Sequence, residues 1–311
     1  MRKISNIFVP ILIIAIFISG CSPQAAPATQ DEDGLTVSVS ILPQKYFVER
    51  IGGDRVAVQA LVPPGSSPAT YQPTPRQMAD LSDAVLFFRI GVPFENVFLP
   101  KIEGLAEGLR IVDTRKGIPL RRMKSHHHDH GEQPDPDHAH GEDHSHPEGG
   151  ADPHIWLNPR LVKIQARTIA DALIESDPAG QAAYESNLAA FLDDLDTLDA
   201  HLVEALAPVK GRTFMVFHPA WGYFADAYGL DQEPIEIEGK EPSGPQIARM
   251  IELAKADGVR VIFVQPQFSR QSARRIAEAI GGAVVPIDPL ARDYVDNLEH
   301  VAATVLKALS Q

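Results

Sequence analysis

The stretch of roughly 180–207 is rich in alanine and leucine and has no internal proline or glycine. At 1.5 Å per residue such a run makes one helix of roughly 40 Å. That is longer than a single small lobe, so the helix reads as a rigid strut shared by two bodies. The chain has 311 residues, more than one hydrophobic core usually supports, and two lobes are the natural arrangement. Asp177-Pro178 separates the strut from an earlier helical pattern that begins at Leu161.

Both flanks of the strut carry the same kind of pattern. Before it, 35–42 alternates apolar and polar residues, 56–62 and 84–88 read as further strands, and helices are expected over 44–51 and 74–81. Thr74 is a good N-cap and Pro75 a good first helical residue. After it, 213–217, 259–264 and 282–287 read as strands, with VRVIFV (259–264) apolar throughout, as in a buried parallel sheet. Helices lie between them, and a last one is expected over 294–309. Strand and helix alternate, so the fold class is α/β, with mostly parallel sheets. The expected domains are an N-terminal lobe over 35–178, the connecting helix over 179–209 and a C-terminal lobe over 210–311. No internal sequence repeat is visible.

The first 34 residues are of another kind. Arg2 and Lys3 precede an uncharged apolar run over 7–18, followed by Ile18-Ser19-Gly20-Cys21. A run of 12 residues is short for a membrane span, which takes about 20, and the small residues before the cysteine read as a secretory cleavage site. Residues 1–20 are thus a signal peptide. The ending resembles a bacterial lipoprotein box, which implies lipidation at Cys21 and a polar tether up to residue 34. Cys21 is the only cysteine, so the mature fold uses no disulfide. The formal net charge of −13 argues against a nucleic-acid partner, which needs clustered Lys and Arg.

Residues 124–150 hold eight histidines (His126, His127, His128, His130, His138, His140, His144 and His146) among Asp, Glu, Pro and Gly. A segment with almost no apolar side chains cannot bury enough surface to fold and is expected as a loop. Histidine with acidic neighbours is also the composition of an accessory metal tract.

In open α/β sheets, ligands bind beyond the carboxyl ends of the strands. There, His218 follows the 213–217 strand, Asp288 follows the 282–287 strand, and the loop 64–73 follows the second strand. His154 stands in Asp152-Pro153-His154, ahead of the N-cap Asn158. Two imidazoles and a carboxylate suit zinc and tolerate manganese or iron. Each also has a plain structural alternative. A lone histidine after a strand is more often a hydrogen-bonded structural residue, Asp288 before Pro289 can shape a turn, and Asp152 can cap the turn ahead of His154.

Six ordered motifs, SPATYQPTPRQM (67–78), DPHIWLNP (152–159), VFHPAWGYF (216–224), EGKEPSGPQI (238–247), VIFVQPQFS (261–269) and IDPLARDY (287–294), make the chain resemble the zinc-binding ZnuA-like group of ABC-transporter solute-binding proteins. The resemblance covers 35–311. It implies two α/β lobes joined by a long rigid helix, with the metal in the cleft between them. It carries the metal ligands onto His154, His218 and Asp288. Manganese-selective relatives tend to have Glu where this chain has His218, so zinc is implied ahead of Mn2+. One departure is plain. The group usually reads Ser-Pro-His-Thr-Tyr-Glu where this chain has Ala69 and Gln72, which leaves three of four protein ligands. Water, a loop histidine, Gln72, Glu238 or Glu241 are the candidates for the fourth.

The function implied is a non-enzymatic, extracytoplasmic receptor. It is a monomer held to the membrane by lipid at Cys21, taking up zinc and delivering it to an ABC permease and its ATPase. Two other readings compete. A three-ligand zinc with an open position is also the build of a zinc-dependent hydrolase, with Glu238 or Glu241 as base. An adhesin for cell adhesion or a zinc-storage lipoprotein is the other, and no adhesive module is visible.

Overall fold

The computed structural model describes residues 34–102, 108–123, 150–236 and 242–310. Cys21 and its tether, the eight loop histidines, and Glu238 and Glu241 lie outside the described residues.

The N-terminal half runs β1 (Leu35–Val39), α1 (Leu42–Gly52), β2 (Val56–Ala60), α2 (Pro75–Ser82), β3 (Leu86–Arg89), α3 (Pro93–Ile102) and β4 (Arg110–Asp113). Its four strands form a parallel sheet in the order β2-β1-β3-β4, with Val37 opposite Val58 on one side and Leu86 on the other. The first strand is shorter than its alternation suggested. Pro43 lies in the first turn of α1, where a fixed φ starts a helix, so the chain turns helical at Leu42. Next come α4 (Pro159–Ser176) and α5 (Gln181–Leu206), separated by one short turn over 178–180.

The C-terminal half runs β5 (Thr213–Val216), α6 (Gly222–Tyr228), β6 (Asp231–Pro234), α7 (Gly244–Ala256), β7 (Val261–Val264), α8 (Gln271–Ala279), β8 (Ala283–Pro286) and α9 (Tyr294–Leu309). Its sheet is also parallel, in the order β6-β5-β7-β8. The two halves therefore repeat one topology without repeating a sequence. The edge strands β4 and β6 have no strand signal of their own. DQEP in β6 has two acidic residues, a glutamine and a proline, which only an edge strand accommodates.

α5 buries Tyr184, Phe191, Leu195, Leu198, Leu202 and Leu206, a stripe at helical spacing. It packs on α1 and α4 on one side of the molecule and on α6 and α9 on the other. The main core follows it: one apolar cluster runs from Val37, Phe47 and Phe88 through Phe191 and Leu198 to Phe263 and Val305. A smaller cluster around Ile262, Val264, Met250 and Ile276 fills the outer face of the second sheet. The described residues from Gly34 onward form one compact unit.

Candidate functional site

Both sheets turn the carboxyl ends of their strands toward one cleft. Ser67, Pro68 and Ala69, from the loop after β2, and Val92 and Pro93, after β3, line it from the N-terminal lobe. His218, Gln267, Phe268, Pro289 and Leu290 line it from the C-terminal lobe, and Met123, Pro153, His154 and Trp156 close it from the central segment.

The N-terminal wall is held from behind by Glu95 of α3. This fully buried carboxylate accepts from Ile90 N at 2.9 Å, Gly91 N at 2.7 Å and Ser40 Oγ at 2.5 Å. Burial pushes its pKa up, against those hydrogen bonds. Gly91 has φ of 89°, and a Cβ there would come within 2.4 Å of the Arg115 side chain. The turn that carries Val92 thus needs glycine.

His154 is clamped by the residue two before it. Asp152 Oδ1 accepts from the His154 backbone N at 3.0 Å and lies 2.7 Å from its Nδ1. A short 3-10 turn, Ile155–Leu157, then leads to Asn158, whose side chain accepts from Arg160 N at 3.0 Å and caps α4. His218 sits two residues past β5. Its Nδ1 lies 2.6 Å from Glu236 Oε1, two residues past β6. Its ring stacks on Phe268, with centroids 4.9 Å apart. Gln265 fixes its backbone on both sides, with Oε1 accepting from His218 N at 3.1 Å and Nε2 donating to His218 O at 2.6 Å.

An ionised carboxylate only accepts, so each imidazole donates through Nδ1, and the neutral form of such a ring has its lone pair on Nε2. The two Nε2 atoms face each other at 3.3 Å. Two nitrogens at about 2.0–2.1 Å from one tetrahedral zinc stand about 3.3–3.4 Å apart. The pair therefore fits one edge of a zinc coordination sphere, and each imidazole already has the carboxylate partner that metal-binding histidines use. Burial lowers the pKa of His154, partly offset by Asp152. The neutral, ligating form is thus favoured at neutral pH.

Asp288 lies beside this pair without joining it. Its Oδ1 accepts from Gln267 Nε2 at 2.9 Å and from Leu290 N at 2.9 Å. It lines the neighbouring cavity with Pro64, Gly65 and Arg292. Among the described residues no group of three or more His, Cys, Asp or Glu is placed to hold one metal ion. Ala69 lines the wall of the histidine cavity, whereas Gln72 is an exposed residue of the same loop that does not line it. Glu236, Gln265 and Gln267 have no place in the reading of the sequence. Glu236 follows β6 by two residues, as His218 and Asp288 follow their strands, but β6 has no strand signal to mark it; Gln267 follows β7 by three. The two lobes also touch through Trp156, whose Nε1 donates to Pro289 O at 2.7 Å.

Two parallel α/β lobes facing a cleft lined by the loops after their strands, with a long helix packed along both, define a bilobal solute-binding protein. The model of the family described as ZnuA, zinc-uptake complex component A, periplasmic, matches residues 37–308, and the chain belongs to that family. A crystal structure of ZnuA superimposes with a TM-score of 0.79 at 42% identity, over 89% of this chain and all of that one. The high-affinity zinc uptake system protein ZnuA of Bacillus subtilis is 29% identical over 93% of this chain and 89% of its own length. The manganese-binding lipoprotein MntA of Halalkalibacterium halodurans is 27% identical over the full length of both.

Proposed function

We propose that this protein is the extracytoplasmic receptor of a metal-uptake complex. It captures a single divalent cation, zinc ahead of manganese, and passes it unchanged to an ABC permease and its ATPase. The observation that carries this reading is the pair of Nε2 atoms, 3.3 Å apart and each backed by a carboxylate on Nδ1. Imidazole is a softer donor than carboxylate and favours zinc over manganese. His154 and His218 are the principal ligands, and Asp288 is the carboxylate of the site. Asp288 reaches the metal directly only if it exchanges the hydrogen bond from Gln267. The accessory histidines of 124–150 bind further ions independently of the cleft, and lipid on Cys21 holds the mature chain to the membrane.

Capture without turnover suits the cleft. Among the described residues the carboxylates next to the two imidazoles, Asp152 and Glu236, are each bonded to Nδ1 and orient the rings, a role other than that of a general base. Zinc titration of His154→Ala and His218→Ala, each with 124–149 removed, tests the assignment. Both variants are expected to lose cleft binding by at least 100-fold, and wild-type affinity in either one overturns it. Membrane fractionation of Cys21→Ala tests the anchor, which fails if fractionation and mass are unchanged.

A further inference from the structure

Gln267, on the loop between β7 and α8, lines both the cavity of the histidine pair and the neighbouring cavity that contains Asp288. Its Nε2 donates to Asp288 Oδ1 at 2.9 Å. A carboxylate has no proton to give, so this contact settles which way the amide faces. The NH2 group points to Asp288, and the carbonyl oxygen is left over. That Oε1 is buried and has no hydrogen-bond partner among the described residues. Buried carbonyl oxygens are usually bonded, and one that is not calls for a reason.

The reason is visible in the two histidines. His154 donates through Nδ1 to Asp152, His218 donates through Nδ1 to Glu236, and each keeps an Nε2 lone pair for the cleft. Gln267 repeats this arrangement with a different group. It donates through Nε2 to Asp288 and keeps an Oε1 lone pair. Three side chains that line one cavity each have one polar atom bonded to a carboxylate and a second acceptor atom left over. We infer that Gln267 is a third metal-facing donor of the metal-free cleft, acting through Oε1, with Asp288 orienting and polarising its amide. This rests on the reading of the histidine pair as the capture site.

The arrangement gives the entering cation two nitrogens and one amide oxygen, with the negative charge of Asp288 one bond further out. Asp288 then acts first through Gln267, and joins the metal directly only where the Gln267 hydrogen bond is exchanged. It also supplies an oxygen donor to a site whose loop after β2 offers Ala69 in place of a ligand.

The test is titration of the full-length protein with Co2+, read by visible absorption, and with Zn2+ against a chromophoric chelator. Gln267→Leu and Gln267→Met both remove the oxygen, and Met keeps an unbranched chain if Leu disturbs folding. Thermal unfolding of the metal-free variants checks that they fold. Each is expected to weaken Co2+ and Zn2+ by about tenfold or more and to shift the cobalt bands. Wild-type affinity and spectrum in both variants overturn the inference. So does tighter binding, because the amide would then only have restrained Asp288. His218→Ala is measured alongside. If it loses binding while the Gln267 variants do not, the capture site stands and Gln267 is no donor. If it binds like wild type, the capture site falls as well.

Discussion

Asp152 holds His154 twice through the same oxygen, by the backbone N and by Nδ1, so ring and main chain are oriented together. Glu236 gives His218 the ring contact alone, while Gln265 holds its backbone. Asp152→Asn and Glu236→Gln keep an acceptor oxygen but remove the charge that makes the imidazole a better donor. Each is expected to weaken zinc by about 10–100-fold with little change in unfolding temperature, which calorimetric titration with a thermal melt would check. The pH dependence follows from His154. Its pKa in the fold is lowered by burial, so above the ordinary histidine value of about 6.5 it is neutral in both folded and unfolded chains. As pH falls below that value the unfolded chain takes up the proton first, so metal-free stability declines, and zinc affinity declines once His154 itself protonates. Affinity measured from pH 8 to 5 is expected to be flat at the upper end and to fall toward the lower end; a continuous rise with acidity would contradict it. Ala69 lines the same cavity, so Ala69→His adds a neutral imidazole there and is expected to tighten zinc by about tenfold or more in a competition assay.

The loop after β2 is brought to the cleft by α2. Thr74 accepts from Gln77 N at 3.3 Å, and Gln77 Oε1 accepts from Thr74 N at 3.0 Å, a reciprocal cap. The same Gln77 donates to Leu61 O at 2.7 Å and accepts from Tyr71 OH at 2.6 Å. One side chain thus ties both ends of the loop that carries Ser67, Pro68 and Ala69. Thr74→Ala removes a cap and is expected to cost about 1 kcal/mol. Gln77→Ala also leaves Leu61 O and Tyr71 OH without this partner, and is expected to cost about 2 kcal/mol. Urea unfolding of the two variants measures the difference, and the ranking would be wrong if Thr74→Ala proved the more damaging.

Over the whole molecule, the two halves share one core along α5, and the described residues on either side of 124–149 are held together. Arg122 and Ala151 form an antiparallel bridge, Met123 N donates to Gly150 O at 3.2 Å, and Asp152 N donates to Arg121 O at 2.9 Å. The ends are already adjacent, so replacing 125–148 with a two-residue turn is expected to leave a single unfolding transition and the cleft affinity unchanged while lowering zinc stoichiometry; loss of the fold would show the segment to be structural. The helix of α5, the alternation of strand and helix, the positions of His218 and Asp288 beyond their strands and that of His154 ahead of α4 follow from local signals, since proline, glycine and apolar spacing act on near neighbours in the chain. The strands β4 and β6 do not: each has only four residues, with charged or polar side chains among them, and is defined by its pairing with β3 and β5. The same holds for the pairing of residues distant in the chain: Glu236 behind His218, Gln267 in front of Asp288, and the 3.3 Å between the Nε2 atoms of two histidines 64 residues apart. Those contacts depend on two sheets packing against one helix so that both sets of strand ends face a common cleft, and no local pattern encodes a distance across that cleft.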